Sequence, residues 1–189
     1  MDKNISKSIK EKVGLKGVYV ITRANLEKPE HFALDQKIKD LRSKSMPFLH
    51  LVRQLNDMCR VDKFVFENLV PTVGRTLIAN NLTDATPDNT MLITHAALGS
   101  GGTAPANGNT TLETEVYRNA IASLANANNV GHAAAFYNAS ETSGTYAEAG
   151  IFCNGTGSAD SGILLSRVLI SVTKSTEQTL TIDWTLTIS

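Results

Sequence analysis

From Thr179 to Ile188 the chain alternates without a break: Leu180, Ile182, Trp184, Leu186 and Ile188 against Thr179, Thr181, Asp183, Thr185 and Thr187. Successive side chains of a strand point to opposite sides, so a period of two gathers the five apolar groups on one face. Their burial is worth on the order of 10 kcal/mol as an upper estimate. A slip of one residue exposes all five, so the register is well specified and Trp184 is expected at the centre of the core. The run over 163–173 reads differently. Leu164, Val168, Ile170 and Val172 fall on one face, and Ile163, Leu165 and Leu169 fall on the other. A strand with two apolar faces is one covered on both sides.

Four further strands are expected at 92–98, 116–125, 130–140 and 146–153. The middle two should form a hairpin through Asn126, Asn128 and Asn129, since Asn tolerates left-handed backbone. Six short strands with no helix between them predict a mainly β fold over 65–189, an antiparallel β-sandwich of jelly-roll-like type. Residues 1–64 read as a small α-helical N-terminal extension, a basic docking segment. It holds a polar arm, a strand-like run over 18–22 and two helices over 29–43 and 47–59. A third helix is expected over 73–82, leading into the domain. The helix after Pro47 gathers Phe48, Leu51 and Leu55 on a narrow face that cannot stabilise itself in water. With Ile163, Leu165 and Leu169 these are the candidate interface residues, and a homo-oligomer is the expected state.

Charge sharpens the division. The net charge of the 189 residues is zero, yet residues 1–75 carry 15 of the 18 Lys and Arg and 9 of the 18 Asp and Glu, a net +6, leaving −6 for the rest. Acids interleave the basic segment (Glu11, Glu27, Glu30, Asp35, Asp40), which argues against a phosphate-binding stripe and against nucleic acid as partner. No apolar run approaches the ~18 residues of a membrane span, so no membrane is expected, and the N-terminus lacks the apolar stretch of a signal peptide.

Candidate chemistry is sparse. Gly99-Ser-Gly-Gly102 lacks the lysine and the following helix of a phosphate-binding loop. His31, His50, His95 and His132 stand singly, without metal-ligand spacing, and Cys59 and Cys153 read as small buried hydrophobes. No nucleophile signature occurs, so no catalytic residue, metal or cofactor is assigned and no enzyme is expected. Glu148 stands out within Tyr146-Ala-Glu-Ala-Gly-Ile-Phe152. A carboxylate on a covered face needs a cation, and Arg118 and Arg167 are two of only three in residues 76–189.

Several segments together resemble a pattern of tailed-bacteriophage virion proteins: Ala97-Leu-Gly-Ser-Gly-Gly-Thr-Ala-Pro105 with Glu115-Val-Tyr-Arg118, Glu148-Ala-Gly-Ile-Phe152, Leu165-Ser-Arg-Val168 and the closing Thr179–Ile188. The resemblance spans about residues 65–189. It implies a non-enzymatic structural protein of the virion, in the tail, baseplate, neck or fibre-attachment region. Its partners would be its own copies and other virion proteins, after synthesis in the host cytoplasm. Capsid decoration on the phage head is the alternative. A carbohydrate-binding receptor-recognition module is a further one, weakened because loops 99–111 and 154–160 contain no aromatic residue.

Overall fold

The computed structural model describes residues 14–25, 61–84 and 91–188. The helices expected over 29–43 and 47–59, with Phe48, Leu51, Leu55, Cys59, His31 and His50, lie outside the described residues. Within them the chain is mainly β. The elements are β1 (Leu15–Asn25), β2 (Val61–Glu67), α1 (Thr72–Thr83), β3 (Ile93–Gly99), β4 (Glu115–Ala120), β5 (Ser123–Ala127), β6 (Val130–Tyr137), β7 (Gly144–Cys153), β8 (Ile163–Lys174) and β9 (Gln178–Ile188). They form two antiparallel sheets, a five-stranded one in the order β2-β1-β9-β6-β5 and a four-stranded one in the order β4-β3-β7-β8.

The two sheets share one core. Tyr19, Ile21, Ala133, Ala135, Tyr137, Leu180, Ile182 and Trp184 from the first meet Leu98, Ala149, Ile151, Val168, Ile170 and Val172 from the second. Two tyrosines bond across it. Tyr19 Oη donates to Ser166 O at 3.2 Å, and Tyr137 Oη donates to Ala96 O at 2.8 Å. Each satisfies a phenol that burial would otherwise penalise. Burial raises the pKa of Tyr19 far above that of a free phenol, Ser166 offsetting it only in part.

The closing strand buries four of its five apolar residues; Trp184 is 1% exposed, whereas Ile188, at the strand's end, is 49% exposed. Its neighbours come from distant parts of the chain. β9 lies at the centre of the five-stranded sheet, paired with β1 from Leu15↔Ile188 to Asn25↔Gln178 and with β6 on its other side. The run over 18–22, read as part of an N-terminal docking segment, is therefore the middle of a strand in the main sheet. A boundary at residue 64 falls inside β2. β8, which precedes β9 in the chain, belongs to the other sheet.

The single strand expected over 116–125 is two strands. Ile121 N–H bonds Thr94 O of β3 at 2.8 Å, and Ala122 N–H bonds Ala134 O of β6 at 2.7 Å. The chain changes sheets between those two residues, with no Gly or Pro to mark it. The hairpin forms with β5 instead, and Asn128 takes the left-handed backbone (φ 53°) that the asparagine-rich turn anticipates.

α1 matches its expected span closely. It packs on β8 because Gly74 allows it: a Cβ there would sit 2.8 Å from the Leu165 carbonyl oxygen. Ahead of it, Leu69 and Arg167 exchange N–H···O bonds of 3.0 Å in both directions. This short bridge and the helix cover the otherwise free edge of β8.

Candidate functional site

The outer face of the four-stranded sheet concentrates the buried charge of the described chain. Glu148 on β7 and Arg167 on β8 stand on this face, 0% and 1% exposed, with Arg167 Nε donating to Glu148 Oε2 at 2.8 Å. A buried ion pair offsets its desolvation only when the remaining donors and acceptors are also met. Here they are met by the loop connecting β3 to β4. Glu148 Oε1 accepts from the N–H of Gly101 (3.1 Å) and of Thr114 (2.8 Å), and Oε2 accepts from the N–H of Glu113 (3.1 Å). Arg167 donates its terminal N–H groups to Asn109 Oδ1 at 2.9 Å and Thr103 O at 3.0 Å. One carboxylate and one guanidinium thus hold the loop at both ends and in the middle.

The glycine-rich stretch acquires its reason from this pair. A Cβ at Gly99 would lie 2.6 Å, and one at Gly101 2.5 Å, from Glu148 Oε1. Glycine leaves the space that the carboxylate fills. Within the loop, Glu113 accepts from Thr103 N–H and Oγ1, both at 2.7 Å, and these bonds hold its carboxyl below the usual range, with Arg167 assisting. The loop is also tied to α1, whose first amide, Thr72 N–H, donates to Asn107 O at 2.9 Å. A shallow polar cavity of about 270 Å³ opens between Thr103, Asn109, Thr110, Glu113 and Arg167, with no aromatic side chain in its lining.

A second pair repeats the device further along the same face. Arg118 on β4 does not reach Glu148; it meets Glu115 in a two-pronged contact at 2.5 and 2.6 Å. Its guanidinium also donates to Thr156 O (3.1 Å) and Ser161 O (3.0 Å), and it lies over the Phe152 ring at 4.6 Å. Asp160 N–H returns a bond to Glu115 Oε2 at 3.2 Å. So the β7–β8 loop is pinned as the β3–β4 loop is. The composition offered a signal for this pair too, since Arg118 is one of three cations in residues 76–189.

The third cation, Lys174, falls by sequence in the turn before the closing strand but ends β8 as a buried residue. Its Nζ donates to Ala139 O (3.0 Å) and Thr142 O (2.6 Å). Burial lowers its pKa, and Glu141 pulls in the opposite direction. Sequence reasoning missed it because nothing local marks a lysine that closes over backbone carbonyls of another loop.

The remaining candidates separate. His95 lies beneath the β7–β8 loop, half-buried, with Nδ1 unpartnered among the described residues. Burial first, then the charge of Arg118, lowers its pKa, with Glu115 and Gly155 opposing. His132 is exposed on the far side of the other sheet, so the two histidines do not meet. Cys153 is a buried free thiol whose pKa burial pushes up to about 12. Of the interface candidates on β8, Leu165 is enclosed by this chain's own core, and Ile163 and Leu169 are half-buried. Ile163 packs against the rim of that core.

Among the described residues no three His, Cys, Asp or Glu side chains converge as a ligand set, and no helix is long and apolar enough to cross a membrane. Fold and site together define a class: a mainly β protein of two antiparallel sheets, one of whose outer faces is closed by loops bound to buried ion pairs. The chain matches no protein-family model, no curated protein and no solved structure.

Proposed function

We propose that this protein is a non-enzymatic structural component of a tailed-bacteriophage virion, a tail, baseplate, neck or fibre-attachment part that assembles with its own copies and with other virion proteins. In this reading the sheets, β1 and β2 included, serve as a jelly-roll-like β-sandwich body, and docking falls to the parts of residues 1–64 outside those two strands. The observation that carries it is how the buried charge is used. Glu148, Arg167, Glu115 and Arg118 are each engaged by several partners that brace a loop, which suits a rigid building block. The resemblance of residues 65–189 to virion proteins runs through the same residues, since Gly99 to Thr103, Arg118, Glu148 and Arg167 are all part of it. A module recognising a receptor glycan draws less support, because the cavity by Thr103 and Asn109 offers no ring for a sugar to stack on.

The test is immunogold labelling of purified particles together with quantitative mass spectrometry of their protein content. Label at the tail or neck, at a fixed copy number, is the expected result. Label spread over the head would move the protein to the decoration role. Absence from particles would remove the virion reading altogether.

A further inference from the structure

The five-stranded sheet ends on β2, and among the described residues nothing pairs with the outer edge of that strand. Its phase against β1 is set by the bond from Asn68 N–H to Gly17 O, which makes Gly17↔Asn68 a directly bonded pair. Counting back along the register, Phe66, Phe64 and Asp62 turn their backbone groups toward β1. Lys63, Val65 and Glu67 turn theirs outward. The same three side chains are exposed on the sheet's outer surface, Val65 at 62%, although it sits opposite Val20 in a continuous ladder. An apolar residue displayed at the middle of an edge strand is the feature that natural edges usually avoid.

We infer that this edge binds a second copy of the same chain, β2 against β2 about a two-fold axis through Val65, joining two five-stranded sheets into one. The sequence of the strand is complementary to itself about that residue and about no other outward-facing one. With the axis at Val65, Lys63 of each copy stands opposite Glu67 of the other, and Phe64 stands opposite Phe66 on the core side. An axis at Lys63 or at Glu67 instead sets like charges against each other, and the latter also requires Leu69, which already bonds Arg167. The pairing adds about six backbone hydrogen bonds at Lys63, Val65 and Glu67. It brings together the half-buried Phe64 and Phe66 rings, which pack at the rim of the core. A lone lysine at a sheet edge discourages pairing; Glu67, which among the described residues makes an exposed contact with Lys16, supplies the answering charge. Such an interface is isologous and closes on itself. The inference rests on the geometry of this edge and holds whether or not the protein belongs to a virion.

Sedimentation velocity of the full chain gives the mass directly. The expected species is twice the 20.3 kDa chain mass. Val65→Pro removes an N–H that points away from β1, so the fold should persist, checked by circular dichroism and thermal midpoint, while the dimer is lost. Lys63→Glu should weaken the dimer about ten-fold by placing glutamates opposite each other at two positions. Adding Glu67→Lys to it should restore the wild-type association. A monomeric wild type overturns the inference, as does a dimer indifferent to Val65→Pro, or a charge exchange that fails to rescue Lys63→Glu.

Discussion

The two sheets meet the outside in opposite ways. The four-stranded sheet hides its outer face under its own loops, and Glu148, Arg167, Glu115 and Arg118 lie beneath them as bonded pairs. Among the described residues the outer face of the five-stranded sheet includes threonines, Asp183, His132, Phe136, Val18, Val20 and Val65, all half-buried or exposed. Both faces hold acidic side chains on long, well-paired strands, yet Glu148 is wholly enclosed and Asp183 is exposed. A charge on a sheet is harmless where water reaches it and needs a partner where it does not. The first sheet thus has its outer face covered by the chain's own loops, and the second leaves its outer face open.

Removing the carboxylate should break this contrast most severely. Glu148→Ala leaves Arg167 buried without its counter-charge and three loop amides without an acceptor, so a loss of about 4 kcal/mol is expected in urea unfolding. The loop over 99–114 should also become a site of proteolytic cutting. Trp184→Ala, in the core common to both sheets, should cost about 3 kcal/mol. The figure falls at the low end for such a change because the indole N–H is buried with no acceptor among the described residues, a cost the substitution relieves.

A pH series tests the covered face more gently. The pKa of His95 is lowered in the folded chain, so its neutral form is favoured there and the unfolded chain binds the proton first. The stability it contributes is therefore complete above about pH 6.5 and is lost as pH falls from there through the folded value. His95→Gln should unfold with a shallower decline between pH 7 and pH 5. The smallest effect belongs to the open face: Asp183→Thr should change stability by no more than about 0.5 kcal/mol, or raise it slightly, since threonine suits a strand better.

How much of this was legible in the sequence follows the same contrast. β9 alternates cleanly because its outer face is open, and its core set could be read from Leu180 to Leu186. β8 lacks alternation because its outer face is covered, which the residues from Ile163 to Val172 announced without saying by what. Glu148 with Arg167 could be anticipated from the scarcity of cations. The loop that completes the pair could not, since Gly101, Glu113 and Thr114 contribute backbone amides that any residue possesses. Strand partners were equally silent. β1 joins β9 across more than 150 residues, and the change of sheet at Ile121 and Ala122 uses neither Gly nor Pro. Register is local chemistry, whereas the choice of neighbour is decided by the assembled core.

The claim on which the account turns is that Glu148 and Arg167 close the outer face of the four-stranded sheet from within the chain. Native-state hydrogen exchange at the amides of Gly101, Glu113 and Thr114 tests it most directly. If the carboxylate holds them, they exchange slowly, as strand amides do, and lose that protection in Glu148→Ala while the amides of β9 keep theirs. Exchange of these three amides at the rate of a free loop in the unsubstituted protein would contradict the account.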